Sequence, residues 1–253
     1  GAVARFAASL WRRPELLLRA AGYRAAFRGA RHVTGSWVTA AHGTSAVERV
    51  TVTDGRHETT LDCDLLCVGH GLVPATELAR LAGCSLAGGA VVVDHRQETT
   101  VRGLYCAGEP TGIGGADLSL IEGEIAGLCA AGSDDDAAAM YGARATLRRH
   151  AIAMERAFAP RAELRDTCTA DTIVCRCEDV TRGEIDPTWC ARQAKLYTRA
   201  GMGPCQGRVC GPALEFLLGW APDAVRPPIE PVLLATLLPD AAAEAAPPDH
   251  GAA

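Results

Sequence analysis

Two pairs of cysteines, Cys175-x-Cys177 and Cys205-x4-Cys210, lie in TIVCRCEDVT and GMGPCQGRVCG, and the second stretch also carries four glycines and a proline. Glycine has little helical preference and proline lacks the backbone N–H, so residues 201–211 cannot be a helix interior. They read as a loop whose backbone closely approaches something at which both thiols point. Thiolates are soft donors that suit zinc, Cu(I) or iron–sulfur clusters. Structural zinc is usually wrapped by C-x2-C or C-x4-C knuckles. A C-x-C pair is less usual for wrapping one ion and fits a wide two-iron cluster better. Glycines 201, 203, 207 and 211 let backbone N–H groups reach the sulfurs, and Arg176 and Arg208 are placed to offset a cluster's negative charge. On this chemistry alone an iron–sulfur cluster, a zinc ion and a metal-free loop stay open, in that order of fit.

The remaining seven cysteines (63, 67, 84, 106, 129, 168 and 190) are scattered singly. An odd total of 11 in a 253-residue chain does not read as the disulfide framework of a small secreted domain. Cys63, Cys67 and Cys106 fall in strand-like runs, where a free thiol acts as a small buried apolar group. A reducing cytoplasm is the expected home. The net charge of −5 excludes a duplex-coating nucleic-acid binder. No stretch approaches the roughly 20 apolar residues of a membrane span.

Along the chain, LWRRPELLLRAAGYRAAF has apolar residues at helical spacing (Leu16, Leu17, Ala20, Tyr23, Phe27), with Pro14 suited to a first turn. HVTGSWVTAAHG and AVERVTVTDGRHETTLDCDLLCVG read as strands, with a hairpin turn at TDGRH and a short apolar strand at LLCVG. TELARLAGC is a short helix closed by Gly83, and AVVVD and TTVRGLYCAGE are further strands. From ADLSLIEGEIAGLCAAG the period turns helical, with Leu118, Ile121, Ile125 and Leu128 on one stripe. Asp134, Asp135 and Asp136 then open another helix, where carboxylates complement the helix dipole. Alternating strands and helices of these lengths predict an α/β fold. The RPPIEP segment breaks regular structure, and DAAAEAAPPDHGAA is a low-complexity tail expected to be disordered.

TIVCRCEDVTRGEI followed by TRAGMGPCQGRVCG resembles the [2Fe-2S] domain of the bacterioferritin-associated ferredoxin type. The resemblance implies one cluster held by Cys175, Cys177, Cys205 and Cys210 between short helices. The segment between the pairs is several residues shorter than the family's usual helix–turn–helix connection, and Pro187 stands where helix is expected. Cys190, in this altered region, takes no role.

GLYCAGEPTGIGGADLSLIEG is a strand, a glycine loop and a helix start, able to present N–H groups and a helix N-terminus to an anion or ring edge. It lacks the G-x-G-x-x-G of a first βα unit, since Asp117 in GIGGAD stands where the last glycine belongs. In context it resembles the second flavin-binding motif of the pyridine-nucleotide–disulfide oxidoreductase fold. There, the resemblance implies, Gly108 and Glu109 end a strand and hold the ribityl chain of FAD. Thr111, Gly112, Ile113, Gly114 and Gly115 form the loop that aims a helix at the isoalloxazine. CDLLCVGHGLVPATEL resembles the same family's link between its nucleotide- and flavin-binding parts.

The combination is similar to the flavin-bearing larger subunit of bacterial opine oxidases, hydrogen cyanide synthase and related amino-acid dehydrogenase complexes. The fold expected is a partial two-dinucleotide-binding-domain flavoprotein followed by a small, mostly helical [2Fe-2S] domain. Its parts would be an α/β region at 1–132, a helical linker at 133–167, the cluster domain at 168–219, and a Pro-rich extension and tail at 220–253. The activity implied is electron transfer through FAD and a [2Fe-2S] cluster, with an amino acid, opine or related secondary amine oxidised at its C–N bond in a partner subunit. The partners implied are an amino-acid-oxidase-like flavoprotein subunit and, as a further candidate, a small ferredoxin-like subunit. Association with such a complex would place the protein in the cytoplasm or at the periphery of the inner membrane.

The family's first FAD-binding glycine fingerprint is expected ahead of the residues present, so these residues are predicted to form the cluster without holding FAD unaided. Flavin titration checks this, and tight stoichiometric binding by these residues would contradict it. No catalytic acid or base is assigned: His42, His57, His70, His95 and His150 occur singly. The alternative is a zinc- or iron-binding interaction module without redox catalysis. A self-contained NAD(P)H reductase is disfavoured, for the α/β part has neither a C-x-x-C pair nor an intact nucleotide fingerprint.

Overall fold

The computed structural model describes residues 6–7, 10, 14–220, 225–230 and 232–237. The low-complexity tail falls outside the described residues. The chain divides into two compact units, residues 1–172 and 173–253.

In the first unit, helix α1 (Pro14–Ala26) begins at the proline, whose missing N–H is not needed there. None of its residues is buried, and Leu18 and Tyr23 face solvent. Strands β1 (Trp37–His42), β2 (Arg49–Thr53) and β3 (Glu58–Asp62) form an antiparallel sheet in that order. The expected turn at TDGRH joins β2 to β3: Asp54 Oδ1 accepts the backbone N–H of Arg56 and of His57, each at 2.8 Å. This local hydrogen bonding by an aspartate side chain is why such residues mark turns. Helix α2 (Glu77–Leu81) closes at Gly83, and β4 (Leu86–Ala87) pairs with β5 (Ala90–Val91).

Two expected strands do not form. LLCVG takes no strand conformation, and TTVRGLYCAGE contributes only isolated bridges, Val93 to Thr99 and Glu98 to Tyr105. An apolar run becomes a strand only where a neighbour takes its backbone hydrogen bonds. Among the described residues no strand does so for these two runs beyond those single bridges. Leu65, Val68, Leu72 and Val73 are accordingly exposed, Leu65 by 77%. Cys67 is exposed and Cys63 and Cys106 are only half-buried, so these are not the buried apolar thiols expected. Cys84 and Cys129 fill that role instead.

Helices α3 (Ala116–Ala130), α4 (Asp134–Ala138) and α5 (Tyr141–Phe158) follow. Ile125, Cys129 and Ala137 form a core, packed by Tyr105, Ile121, Leu128, Met140 and Tyr141. The three aspartates occupy the first turn of α4, where Asp134 also pairs with Arg96 at 2.9 Å.

The second unit has its own core: Cys175, Val180, Ile185, Ala194, Ala200, Cys210 and Leu214. Strand β6 (Ile173–Cys175) pairs antiparallel with β7 (Val180–Thr181). A short 3₁₀ turn at Arg182–Glu184 is capped reciprocally by Thr181 and Glu184, the Glu184 carboxylate accepting the Thr181 N–H at 2.8 Å. Pro187 lies in a turn, not a helix, with Asp186 Oδ1 accepting the Thr188 N–H at 2.8 Å. Helix α6 (Ala191–Thr198) starts beyond it, with Cys190 as N-cap, whose N–H is taken by Gln193 Oε1 at 2.9 Å. Helix α7 (Cys210–Leu218) ends at Gly219 in the left-handed conformation that terminates helices. A final turn, α8, spans Leu234–Leu237. Among the described residues no helix is long and apolar enough to cross a membrane.

Candidate functional site

The four cysteines of the two motifs come from four places in the second unit. Cys175 ends β6 with its side chain in the core, 1% exposed. Cys177 follows in the turn between β6 and β7 and is exposed. Cys205 lies half-buried in the glycine loop, and Cys210 opens α7 at 2% exposure. The C-x-C pair is divided between inside and outside because the strand stops at Cys175 and Cys177 falls in the turn, where the strand's same-face placing of i and i+2 no longer applies.

The glycine loop folds back over that pair. Gly201 N–H points at Cys175 Sγ, 3.5 Å away. A Cβ on Gly201 would stand 3.8 Å from Cys210 Sγ, and one on Gly203 would lie 2.2 Å from Cys177 Cβ and 3.3 Å from its Sγ. Only a residue without a side chain allows so close an approach at 203. Burial pushes the Cys210 thiol up to about 12, helped by the neighbouring Cys175. Burial acts the same way on Cys205, but the N–H groups of Val209, Gly207 and Arg208 and the Cys177 thiol outweigh it and hold Cys205 below its ordinary value. The loop therefore already points N–H donors at a developing thiolate, which favours the deprotonated form that metals bind.

Among the described residues no three His, Cys, Asp or Glu side chains gather to surround a single metal ion. The thiols neighbour one another in twos instead, Cys175 with Cys210 and Cys177 with Cys205, and Cys205 also acts on Cys210. Two pairs of soft donors side by side match the demands of a binuclear cluster. Of the arginines expected to offset cluster charge, Arg176 is exposed. Arg208 donates instead to the carbonyl of Ile229 and lies 3.5 Å from Glu230, so it binds the RPPIEP segment. Glu178, next to Cys177, is held by Arg199 Nε at 2.7 Å.

The glycine loop of the first unit is built around two carboxylates. Glu109 lies in a 3₁₀ turn (Glu109–Thr111), and its Oε1 accepts Gly115 N–H at 2.8 Å and Gly114 N–H at 3.4 Å. Its Oε2 is shut off from solvent without a hydrogen-bond partner among the described residues. A buried acceptor left unsatisfied is costly, and a hydroxyl-bearing chain such as the ribityl of FAD would supply the missing donor. Gly108, at φ +80°, brings the backbone against Ser119, whose Oγ would lie 3.2 Å from a Cβ there. Ile113 is half-buried, Gly112 and Gly115 have positive φ, and Gly115 is the N-cap of α3. The loop residues fit the group the sequence assigns to them.

The second carboxylate is not among the site residues read from the sequence. Glu122 on α3 is fully buried, accepts Gly108 N–H at 3.0 Å, and lies 3.0 Å from the Thr111 hydroxyl. Arg148 on α5 pairs with it and also donates to the carbonyls of Thr111 and Gly112 at 3.2 and 3.3 Å. The Thr111 side chain therefore faces this ion pair and braces the loop from behind. Glu122 carries a signal: it stands four residues from Leu118 and three from Ile125 on a buried face, where a lone carboxylate needs a partner.

Residues 14–123 match the pyridine nucleotide-disulphide oxidoreductase family, and residues 173–220 match the BFD-like [2Fe-2S] binding domain. FAD is the cofactor of the first and a [2Fe-2S] cluster that of the second. Together they define a redox flavoprotein with a small iron–sulfur domain at its C-terminal side. The chain is homologous to the opine oxidase A subunits and to the hydrogen cyanide synthase subunit HcnB. It is 35% identical to the opine oxidase protein of Rhizobium meliloti (strain 1021) over 192 residues, 65% of this chain and 42% of that one. It is 28% identical to the opine oxidase protein of Agrobacterium tumefaciens (strain Ach5) over 240 residues, 83% of this chain and 48% of that one. Against HcnB of Pseudomonas aeruginosa the figures are 29% over 182 residues, 64% of this chain and 37% of the other. The chain spans less than half the length of these curated relatives.

Proposed function

We propose that this chain is the electron-transferring part of a complex that oxidises an amino acid, an opine or a related secondary amine. In this reading Cys175, Cys177, Cys205 and Cys210 ligate the cluster. Gly108, Glu109, Thr111, Gly112, Ile113, Gly114 and Gly115 form the flavin-facing loop. The carrying observation is the pairing of thiols across the two motifs, Cys175 beside Cys210 and Cys177 beside Cys205, with Gly203 packed on Cys177. Opine oxidase as the name of several relatives supports the substrate class.

The amine's CH–NH unit would lose two electrons and two protons in an amino-acid-oxidase-like partner, becoming an imine. When bound, FAD supplies acceptance of an electron pair and its release singly, and the cluster supplies one-electron storage. Glu109 Oε2 would orient the flavin by accepting a ribityl hydroxyl, while Glu122 and Arg148 hold the loop rigid behind it. The N–H groups of Gly207, Arg208 and Val209 would stabilise negative charge at Cys205. A small ferredoxin-like protein is a second proposed partner.

Metal and sulfide analysis of the purified chain tests the thiol assignment. Two irons and two sulfides, with a visible spectrum that dithionite bleaches, are expected, and replacing Cys210 or Cys175 by alanine should remove both. Colourless protein with stoichiometric zinc would transfer the thiols to an interaction module. Co-expression with the neighbouring gene's product, followed by amine-dependent bleaching of the spectrum, tests the substrate class.

A further inference from the structure

We propose that the four ligands divide between the two irons across the sequence motifs, Cys175 with Cys210 on an inner iron and Cys177 with Cys205 on an outer one, and that the outer iron exchanges the electron. This inference rests on the cluster reading above. Spacing alone would suggest the opposite division, with C-x-C on one metal and C-x4-C on the other.

Geometry favours the crossed division. Cys175 and Cys210 are both in the core, at 1% and 2% exposure, and one residue, Gly201, faces both sulfurs: its N–H lies 3.5 Å from Cys175 Sγ and its Cβ position 3.8 Å from Cys210 Sγ. On the other side Cys177 is exposed and Cys205 half-exposed, with Gly203 against Cys177. Adjacent thiols would need the least rearrangement to share one iron.

Burial then separates the two irons electrostatically. One electron, delivered by reduced flavin or by dithionite in vitro, converts one Fe(III) to Fe(II) and makes or breaks no bond. The added negative charge costs less where water and N–H donors surround it than in an apolar core. Solvent reaches Cys177 and, in part, Cys205, whereas Cys175 and Cys210 are shut into the core. Cys177 and Cys205 are therefore the ligands of the iron that takes the electron.

Each of the four cysteines is replaced in turn by serine in the full chain, and the reduction potential is measured. An alkoxide is a harder donor than a thiolate and favours Fe(III), so it lowers the potential most at the iron that is reduced. Cys177→Ser and Cys205→Ser should give the larger negative shifts and similar spectra of the reduced state; Cys175→Ser and Cys210→Ser should form a second group with smaller shifts. Grouping along the motifs, or larger shifts for the inner pair, overturns the proposal. For any variant that assembles no cluster, paramagnetic proton NMR of the reduced wild-type protein replaces it. There the assigned β-protons of Cys177 and Cys205 should share the temperature dependence of Fe(II) ligands, and any other pairing contradicts the division. Iron and sulfide content of the wild type is read first, so a protein that never holds a cluster refutes the function itself and not merely the division.

Discussion

Gly203→Ala is expected to yield protein that does not assemble the cluster. The new methyl would start 2.2 Å from Cys177 Cβ and 3.3 Å from both Cys177 Sγ and Glu178 Oε1. Both colliding carbons sit directly on backbone, so no side-chain rotation relieves the contact, and the loop must lift away from the β6–β7 turn. Overpacking of this kind costs about 1–3 kcal/mol, but the larger consequence is geometric. Lifting the loop separates Cys205 from Cys177, and ligands displaced by an ångström no longer close on one metal. The check is iron content and visible absorption after anaerobic reconstitution, with Gly211→Ala as control. Gly211 is in α7 with nothing within 4 Å of its Cβ position, and alanine there should gain about 0.5–1 kcal/mol of helix stability. Full iron in Gly203→Ala would show that the loop does not press on Cys177.

The second large effect is expected from Glu122→Ala. The carboxylate is fully buried and joins α3 to the Gly108–Thr111 turn and to Arg148 on α5. Removing it leaves the Arg148 guanidinium without its counter-charge and the Gly108 N–H without an acceptor. Breaking a buried pair by deleting one partner costs about 3–5 kcal/mol, a large share of the ~5–15 kcal/mol that holds a domain folded. Arg148 is 25% exposed on its side chain and regains some hydration, which directs the expected loss to the lower end. Glu122→Gln keeps the shape and an acceptor for Gly108 and should lose less. Urea denaturation of the chain and hydrogen exchange of the Gly108 amide are the measurements, and unchanged exchange in Glu122→Ala would separate the carboxylate from the loop.

What the residue pattern discloses here depends on how local the determining forces are. The TDGRH turn is legible because Asp54 satisfies its own neighbours' N–H groups, and the α3 helix because its apolar period is self-contained. LLCVG and TTVRGLYCAGE have the composition of strands and do not form them, because a strand depends on a neighbour that composition does not specify. The cysteine motifs supply the candidate donors, but the thiol contacts that cross between motifs are invisible in spacing, since they arise from the loop closing over β6. Glu122 breaks the apolar stripe visibly between Ile121 and Ile125, yet nothing near it in sequence says what answers its charge. Its partner Arg148 lies on another helix, beyond the reach of any local period. Cys190, given no role, caps α6 because Pro187 delays the helix until after the turn.

Arg208 sits between Cys205 and Cys210 in sequence while its guanidinium grips Ile229 and Glu230. The family match ends at residue 220, so a domain excised at that boundary would keep all four sulfurs and lose two anchors of the segment that joins the last two. Its stability and redox behaviour would then be those of a loosened loop, and comparisons with the intact chain would mistake a cut tether for a property of the metal site.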